Sequence, residues 1–313
     1  MPMRHARFRT IATGLVFALV GSRGAAEAPP IRPVPKLLPG VERTGETVVR
    51  ETWDWAAAMI PVAKKFTGRQ GQIVLLGDSL TYANQSTRWA WSVPWNRKGA
   101  YTEADKAILR WSHAYETNKP ANGWWLAKVD RPGGRSETAA SGIRTNQYVK
   151  GGFHGLPPLA EIIAKYNPQV AFILLGTNDA TGGRKPADVL NDMNTIVEML
   201  LANGTIPVLT TPTPLRSKAA HERLREYNGL YLRLAAARKV PIIDLYGEAV
   251  SRQPGGKWDG TIVGRDGVHL THKLADGPPT ESNLANCGYL LRCYLTVQKL
   301  KQVKEKVIDK AAK

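Results

Sequence analysis

The chain has 313 residues, 43% hydrophobic, 8% aromatic and 22% charged, enough for one large domain or two small ones. That composition excludes a disordered chain and a disulfide-stapled miniprotein. Its 43 Lys and Arg against 26 Asp and Glu give a formal charge of +17, which raises nucleic acid as a partner. No arginine-rich arm or recognised nucleic-acid motif accompanies the charge, so the reading is a basic surface suited to anionic envelope polymers, with no nucleic acid.

Arg4, Arg7 and Arg9 precede an apolar run from Ile11 to Val20, and Gly24, Ala25 and Ala26 follow. This is the order of a secretory signal peptide, assigned to residues 1–26, and it implies a secreted or periplasmic protein. The run is too short to span a bilayer comfortably, so no stable membrane insertion is expected after cleavage; the alternative is an uncleaved anchor. Residues 27–50 form a leader in which Pro29, Pro30, Pro33, Pro35 and Pro39 prevent helix or sheet from propagating. The domain is assigned to residues 51–313.

Thr52–Phe66 has near-helical apolar spacing despite Pro61. Short apolar runs then alternate with longer amphipathic ones. Gln72–Leu76, Val170–Leu175, Ile206–Thr210 and Val240–Leu245 read as strands buried on both faces. Leu156–Tyr166, Pro186–Ala202, Lys218–Arg238 and Asn283–Lys304 read as helices. The alternation predicts a three-layer α/β/α domain around a central parallel sheet. The stretch at about 82–135 breaks the pattern and carries six of the nine tryptophans, so it is read as an inserted subdomain. Trp89, Trp91, Trp124 and Trp125 are its candidate substrate-stacking residues; the competing reading is that these aromatics make the insertion's own core. Cys287 and Cys293, six residues apart on an expected helix, sit about 9 Å apart along its axis, too far to bridge.

In a parallel sheet, reactive groups collect at the carboxyl ends of the strands. The first apolar run ends in Gly77-Asp78-Ser79-Leu80, where Ser79 is either a helix cap or a nucleophile. The second ends in Gly176-Thr177-Asn178-Asp179, which places a neutral amide at the next strand end. Asp266 stands three residues before His269, a spacing that lets one short turn bring both side chains to one side. A serine, a base and an orienting acid are the parts of an acyl-transfer triad.

These blocks, with the glycine block Ser141-Gly142-Ile143 between the first two, resemble the SGNH or GDSL hydrolases over roughly residues 70 to 300. The resemblance implies Ser79 as nucleophile, His269 as general base and Asp266 as the residue that holds the imidazole. It also implies an oxyanion hole made by the backbone N–H groups of Ser79 and Gly142 and the side-chain amide of Asn178. No cofactor is implied. About 60 residues separate Ser79 from Gly142, longer than expected for the family, so Gly133, Gly134, Gly151 and Gly152 are alternatives for that donor. Asp78 and Asp179 are read as organisers of their local turns. His272 completes a His-x-x-His pair with His269, but no further ligands cluster there, and no metal site is assigned.

The function expected is a secreted serine esterase acting on O-acyl esters of a small-molecule or polysaccharide substrate, with acetyl on carbohydrate as the expected group. The alternatives are a lysophospholipase or thioesterase of the same family and a non-catalytic carbohydrate-binding protein on a hydrolase scaffold. The oligomeric state is left unassigned.

Overall fold

A computed structural model describes residues 30–37, 40, 41, 43, 45–91, 98–114 and 136–313, and the unit discussed is Ile31–Lys313. The expected signal peptide, the tryptophans Trp95, Trp124 and Trp125, and the glycines Gly133 and Gly134 lie outside the described residues.

Four parallel strands form the sheet in the order β1 (Ile73–Gly77), β2 (Val170–Leu174), β3 (Ile206–Thr210) and β4 (Ile242–Ile243). Every residue of each strand is buried, as the unbroken apolar runs require. On the far side of β1, Ala139 makes one further parallel bridge to Gly77, with Gly77 N–H donating to Thr138 O and Ala140 N–H to Gly77 O, both at 3.2 Å. The chain therefore leaves β1 to one side, at Ala139, and returns to the other side at β2. A reversal of strand order of this kind opens a crevice at the carboxyl end of the sheet.

The helices fall into two groups that pack among themselves on the two faces. One comprises Thr145–Lys150, Leu159–Tyr166, Pro186–Ala202 and Lys218–Arg238. The other is built around Gly288–Val303, with Arg88–Trp91, Glu103–Trp111 and Leu245–Arg252 against it. This is the expected three-layer α/β/α arrangement.

Several boundaries moved for local reasons. The first helix is Trp55–Ala63, capped by the Asp54 carboxylate, which accepts from Ala57 N–H at 3.0 Å. Pro157 and Pro158 delay the next expected helix to Leu159–Tyr166. The fourth strand is short because Asp244 already caps the helix Leu245–Arg252, accepting from Gly247 N–H at 3.1 Å. The expected helix at 283–304 is broken at Cys287, and its second part restarts against Thr271, whose hydroxyl accepts from Gly288 N–H at 3.0 Å and whose carbonyl accepts from Tyr289 N–H at 3.1 Å. Cys287 and Cys293 are buried free thiols.

The leader residues that are described have no regular structure but are tied to the domain. Arg32 pairs with Glu198 through two bonds at 2.6 and 3.0 Å, and Asp244 holds both Arg43 and the Val49 N–H.

The described part of the tryptophan-rich stretch shares the common core. Trp89 is fully buried, stacked on Tyr101 at 4.8 Å between centroids and edge-on to Tyr294 at 5.7 Å, with its indole N–H donating to Gly99 O at 2.9 Å. The expectation that Trp89 faces substrate is thereby corrected: both of its assets, the ring faces and the N–H, are spent inside the protein. Trp91, two residues on, is half-buried.

Candidate active site

The carboxyl end of β1 turns sharply into the helix Ser79–Tyr82. Gly77 is required there by close approach, since a Cβ on it would lie 2.1 Å from Thr81 Oγ1 and 2.7 Å from the carbonyl oxygen of Leu174. Asp78 caps the helix, its carboxylate accepting from Leu80 N–H at 3.0 Å. Burial pushes the Asp78 carboxyl up to about 6, against the pull of the Leu80 N–H and the nearby Arg292 charge.

His269 arrives from a turn 190 residues away, and its Nε2 lies 3.0 Å from Ser79 Oγ. Its other nitrogen, Nδ1, lies 2.6 Å from Asp266 Oδ2. Asp266 Oδ1 accepts from the backbone N–H groups of Val268 at 3.0 Å and His269 at 2.9 Å. Burial alone would raise the Asp266 carboxyl, but these bonds together hold it below the usual carboxylate range. An ionised Asp266 only accepts, so the shared proton belongs to Nδ1 and Nε2 is left as an acceptor for the Ser79 hydroxyl.

The turn is built to hold this geometry. Gly264 N–H donates to His269 O at 2.6 Å, and Val263 bridges Leu270 across the turn. Gly267 has φ +76°, and a Cβ on it would meet Arg216 Cβ at 2.5 Å. Arg216 packs there, donating from its backbone N–H to Gly267 O at 3.0 Å and from its guanidinium to Asp259 at 2.7 Å.

Asn178 sits in the helix Thr177–Thr181 that follows β2. Its amide donates to Ile143 O at 3.1 Å and approaches Asp78 Oδ2 at 3.4 Å, so it touches both the serine block and the glycine block. Gly142 lies in the exposed turn between the Ala139 bridge and the helix Thr145–Lys150. Two of its rivals are already engaged: Gly151 N–H donates to Gln147 O at 2.8 Å and Gly152 N–H to Leu156 O at 2.7 Å. Asp179, fully buried, accepts from Thr145 N–H, Thr145 Oγ1 and Arg184, so it ties the helix after Gly142 to the helix of Asn178.

Arg292 carries no signal in the sequence that sets it apart from the neighbouring Lys and Arg. From the helix Gly288–Val303 it donates to Leu80 O at 2.5 Å and to Thr81 Oγ1 at 2.7 Å, directly behind Ser79. His113 and His221 are held elsewhere, His113 by Arg69 and Gln70 and His221 by Leu215 and Tyr246, while the exposed His272 lines a cavity together with His269. Among the described residues, no group of three or more His, Cys, Asp or Glu side chains is placed to hold a metal ion.

A parallel sheet with a serine, a histidine and an aspartate in line at its carboxyl end has the parts of an acyl-transfer site, without the Gly-x-Ser-x-Gly elbow. The chain belongs to the GDSL-like Lipase/Acylhydrolase family, whose model matches residues 75–275. It is a carboxylic ester hydrolase. Solved structures similar to it include the lipase/acylhydrolase from Enterococcus faecalis, 19% identical over 74% of this chain and 95% of that one, with a TM-score of 0.46. The GDSL-like lipase from Bacteroides thetaiotaomicron is 17% identical over 79% and 98%, with a TM-score of 0.47. The aryl esterase of M. smegmatis is 22% identical over 73% and 98%, with a TM-score of 0.41. No curated protein sequence matches the chain.

Proposed function

We propose that the protein is a secreted serine esterase that removes acyl groups, acetyl foremost, from carbohydrate, with Ser79, His269 and Asp266 as its catalytic triad. The observation that carries this is the unbroken relay of 3.0 Å from Ser79 to His269 and 2.6 Å from His269 to Asp266. In the first step Ser79 Oγ attacks the ester carbon and its proton passes to His269 Nε2. The tetrahedral oxyanion is met by the N–H groups of Ser79 and Gly142 and by the Asn178 amide, whose 3.4 Å contact with Asp78 is weak enough to yield. The oxyanion collapses, the C–O bond to the alcohol breaks, and His269 returns the proton to the leaving oxygen. Water, deprotonated by the same histidine, then attacks the acyl-enzyme, and the carboxylic acid departs as Ser79 regains its proton.

A polar substrate is supported by the surroundings of His269. The cavity beside it, about 650 Å³, is lined by Arg265, Thr271, His272, Lys273 and Asn286, and Leu270, which also touches it, is buried in the core. A lysophospholipase or thioesterase calls for an aliphatic channel on that scale. Secretion is supported by the order of charges, apolar run and small residues at Arg4–Ala26.

The test is a release assay across acetylated polysaccharides, aryl esters of increasing acyl length and lysophospholipids, with Ser79→Ala as control. Acetyl release from the polysaccharides that vanishes in Ser79→Ala is the expected result. Turnover retained by Ser79→Ala removes the mechanism, and a preference for long-chain or lysophospholipid esters removes the carbohydrate substrate.

A further inference from the structure

The cavity beside His269 has a one-sided charge. Among the described residues Asp266 is the only acid in its wall, and both carboxylate oxygens are occupied by Val268 N–H, His269 N–H and His269 Nδ1. The neighbouring cation Arg216 is neutralised by Asp259 through two bonds at 2.7 Å. Arg265 and Lys273 are different. Both are exposed, both line the cavity, and no acid among the described residues pairs with either.

The two cations are also well placed. Arg265 immediately precedes Asp266 in the turn pinned by the Gly264 to His269 hydrogen bond, and its carbonyl oxygen is held by the Arg216 guanidinium at 2.5 Å. Lys273 follows His269 by four residues on the segment anchored through Thr271 to the start of the helix Gly288–Val303. His269 belongs to this cavity and, through its hydrogen bond, to Ser79, so one side chain separates the cavity from the serine hydroxyl.

We propose that the cavity is a subsite for an anionic group carried by the ester substrate, a carboxylate or sulfate on the sugar being deacylated, with Arg265 and Lys273 as its charge partners. The proposal rests on the esterase reading above. The planar Arg265 fork offers a two-pronged bond to a carboxylate or sulfate, and Lys273 adds a point charge. Both are solvated, so the attraction weakens as salt screens it.

The test begins with binding. Ser79→Ala protein is titrated calorimetrically with acetylated oligogalacturonate, an acetylated sulfated galactan oligosaccharide and neutral acetylated xylo-oligosaccharide. Tighter binding of an acidic ligand, weakened roughly fivefold or more by Arg265→Ala or Lys273→Ala, further by Arg265→Glu, and lost in about 0.5 M salt, is expected. The better of the two acidic ligands identifies the anion. In the Ser79 enzyme, the same changes raise KM for the acidic ester well beyond any rise for the neutral one. Equal binding of acidic and neutral ligands, or equal effects of the variants on both, overturns the proposal. An enzyme that cleaves esters without regard to charge sinks this inference alone. Charge-dependent binding without any ester cleavage sustains the anion subsite and sinks the esterase reading.

Discussion

Arg292 holds Leu80 across 212 residues of chain, its guanidinium donating to the Leu80 carbonyl oxygen at 2.5 Å while also gripping Thr81 Oγ1. Thr81 in turn lies against Gly77 so closely that no side chain fits there. The turn that bears Ser79 is thus clamped from behind by a buried cation, whose own charge burial disfavours and the Asp78 carboxyl supports.

Arg292→Met, which keeps the bulk and removes both donors, is expected to lower kcat tenfold or more with KM little changed. Arg292→Lys should recover part of the loss. Loss of the buried bonds is also expected to cost about 2–4 kcal/mol of stability. Rates measured well below each variant's melting temperature, alongside the rate at which an active-site serine probe reacts, separate positioning from unfolding; an unchanged kcat in the folded variant confines Arg292 to a structural role.

Asp78 makes stability depend on pH with an unusual sign. Its folded pKa, about 6, lies above the unfolded value, so between about pH 4 and 6 the folded protein holds more protons than the unfolded chain. This group therefore favours folding below about pH 4, and that contribution is lost as pH rises through 6, by about 3 kcal/mol in all. Asp78→Asn keeps an acceptor for Leu80 N–H and removes the ionisation. Its melting temperature should exceed the parent's at pH 8 and converge with it toward pH 4; parallel curves for the two proteins would count against a raised Asp78.

Asn178→Ala is expected to lower kcat about 100-fold with KM nearly constant, because an oxyanion donor acts on the transition state. Steady-state kinetics on an aryl acetate measures it. A rise in KM at constant kcat would assign Asn178 to ground-state binding instead.

Trp89→Ala should destabilise the protein by about 3–5 kcal/mol, the cost of emptying a large buried aromatic site, and shift the denaturation midpoint accordingly. Its effect on KM at temperatures where the variant is folded should be small. A large rise in KM without destabilisation would reinstate Trp89 as a substrate contact.

What was legible in the sequence depended on whether a property is local. Strand-end position marked Ser79 and Asn178, and a three-residue spacing marked Asp266 with His269; a β-branched apolar run announced each strand of the sheet. Arg292 left no such mark, because one buried guanidinium among the many Lys and Arg of the C-terminal helices looks like its solvated neighbours until the helix is packed. The break at Cys287 was hidden for the same reason: Thr271, which caps the restarted helix, is distant in sequence. By its place in the sequence Asp179 is a local turn-former, whereas its partners Thr145 and Arg184 make it a strut between the glycine and asparagine blocks. Trp89 misled in the opposite direction, since an aromatic beside basic residues has the same composition whether it faces a sugar or a core.

The distance between Ser79 and Arg292 along the chain also bears on synthesis. A ribosome delivers the Ser79 turn first and Arg292 only 212 residues after Leu80, with His269 arriving shortly before the helix that carries Arg292. Until then the nascent chain carries Ser79 with neither His269 nor Arg292 beside it. If Ser79 and His269 act as proposed, the gain of activity during refolding is a clock for the docking of the helix Gly288–Val303.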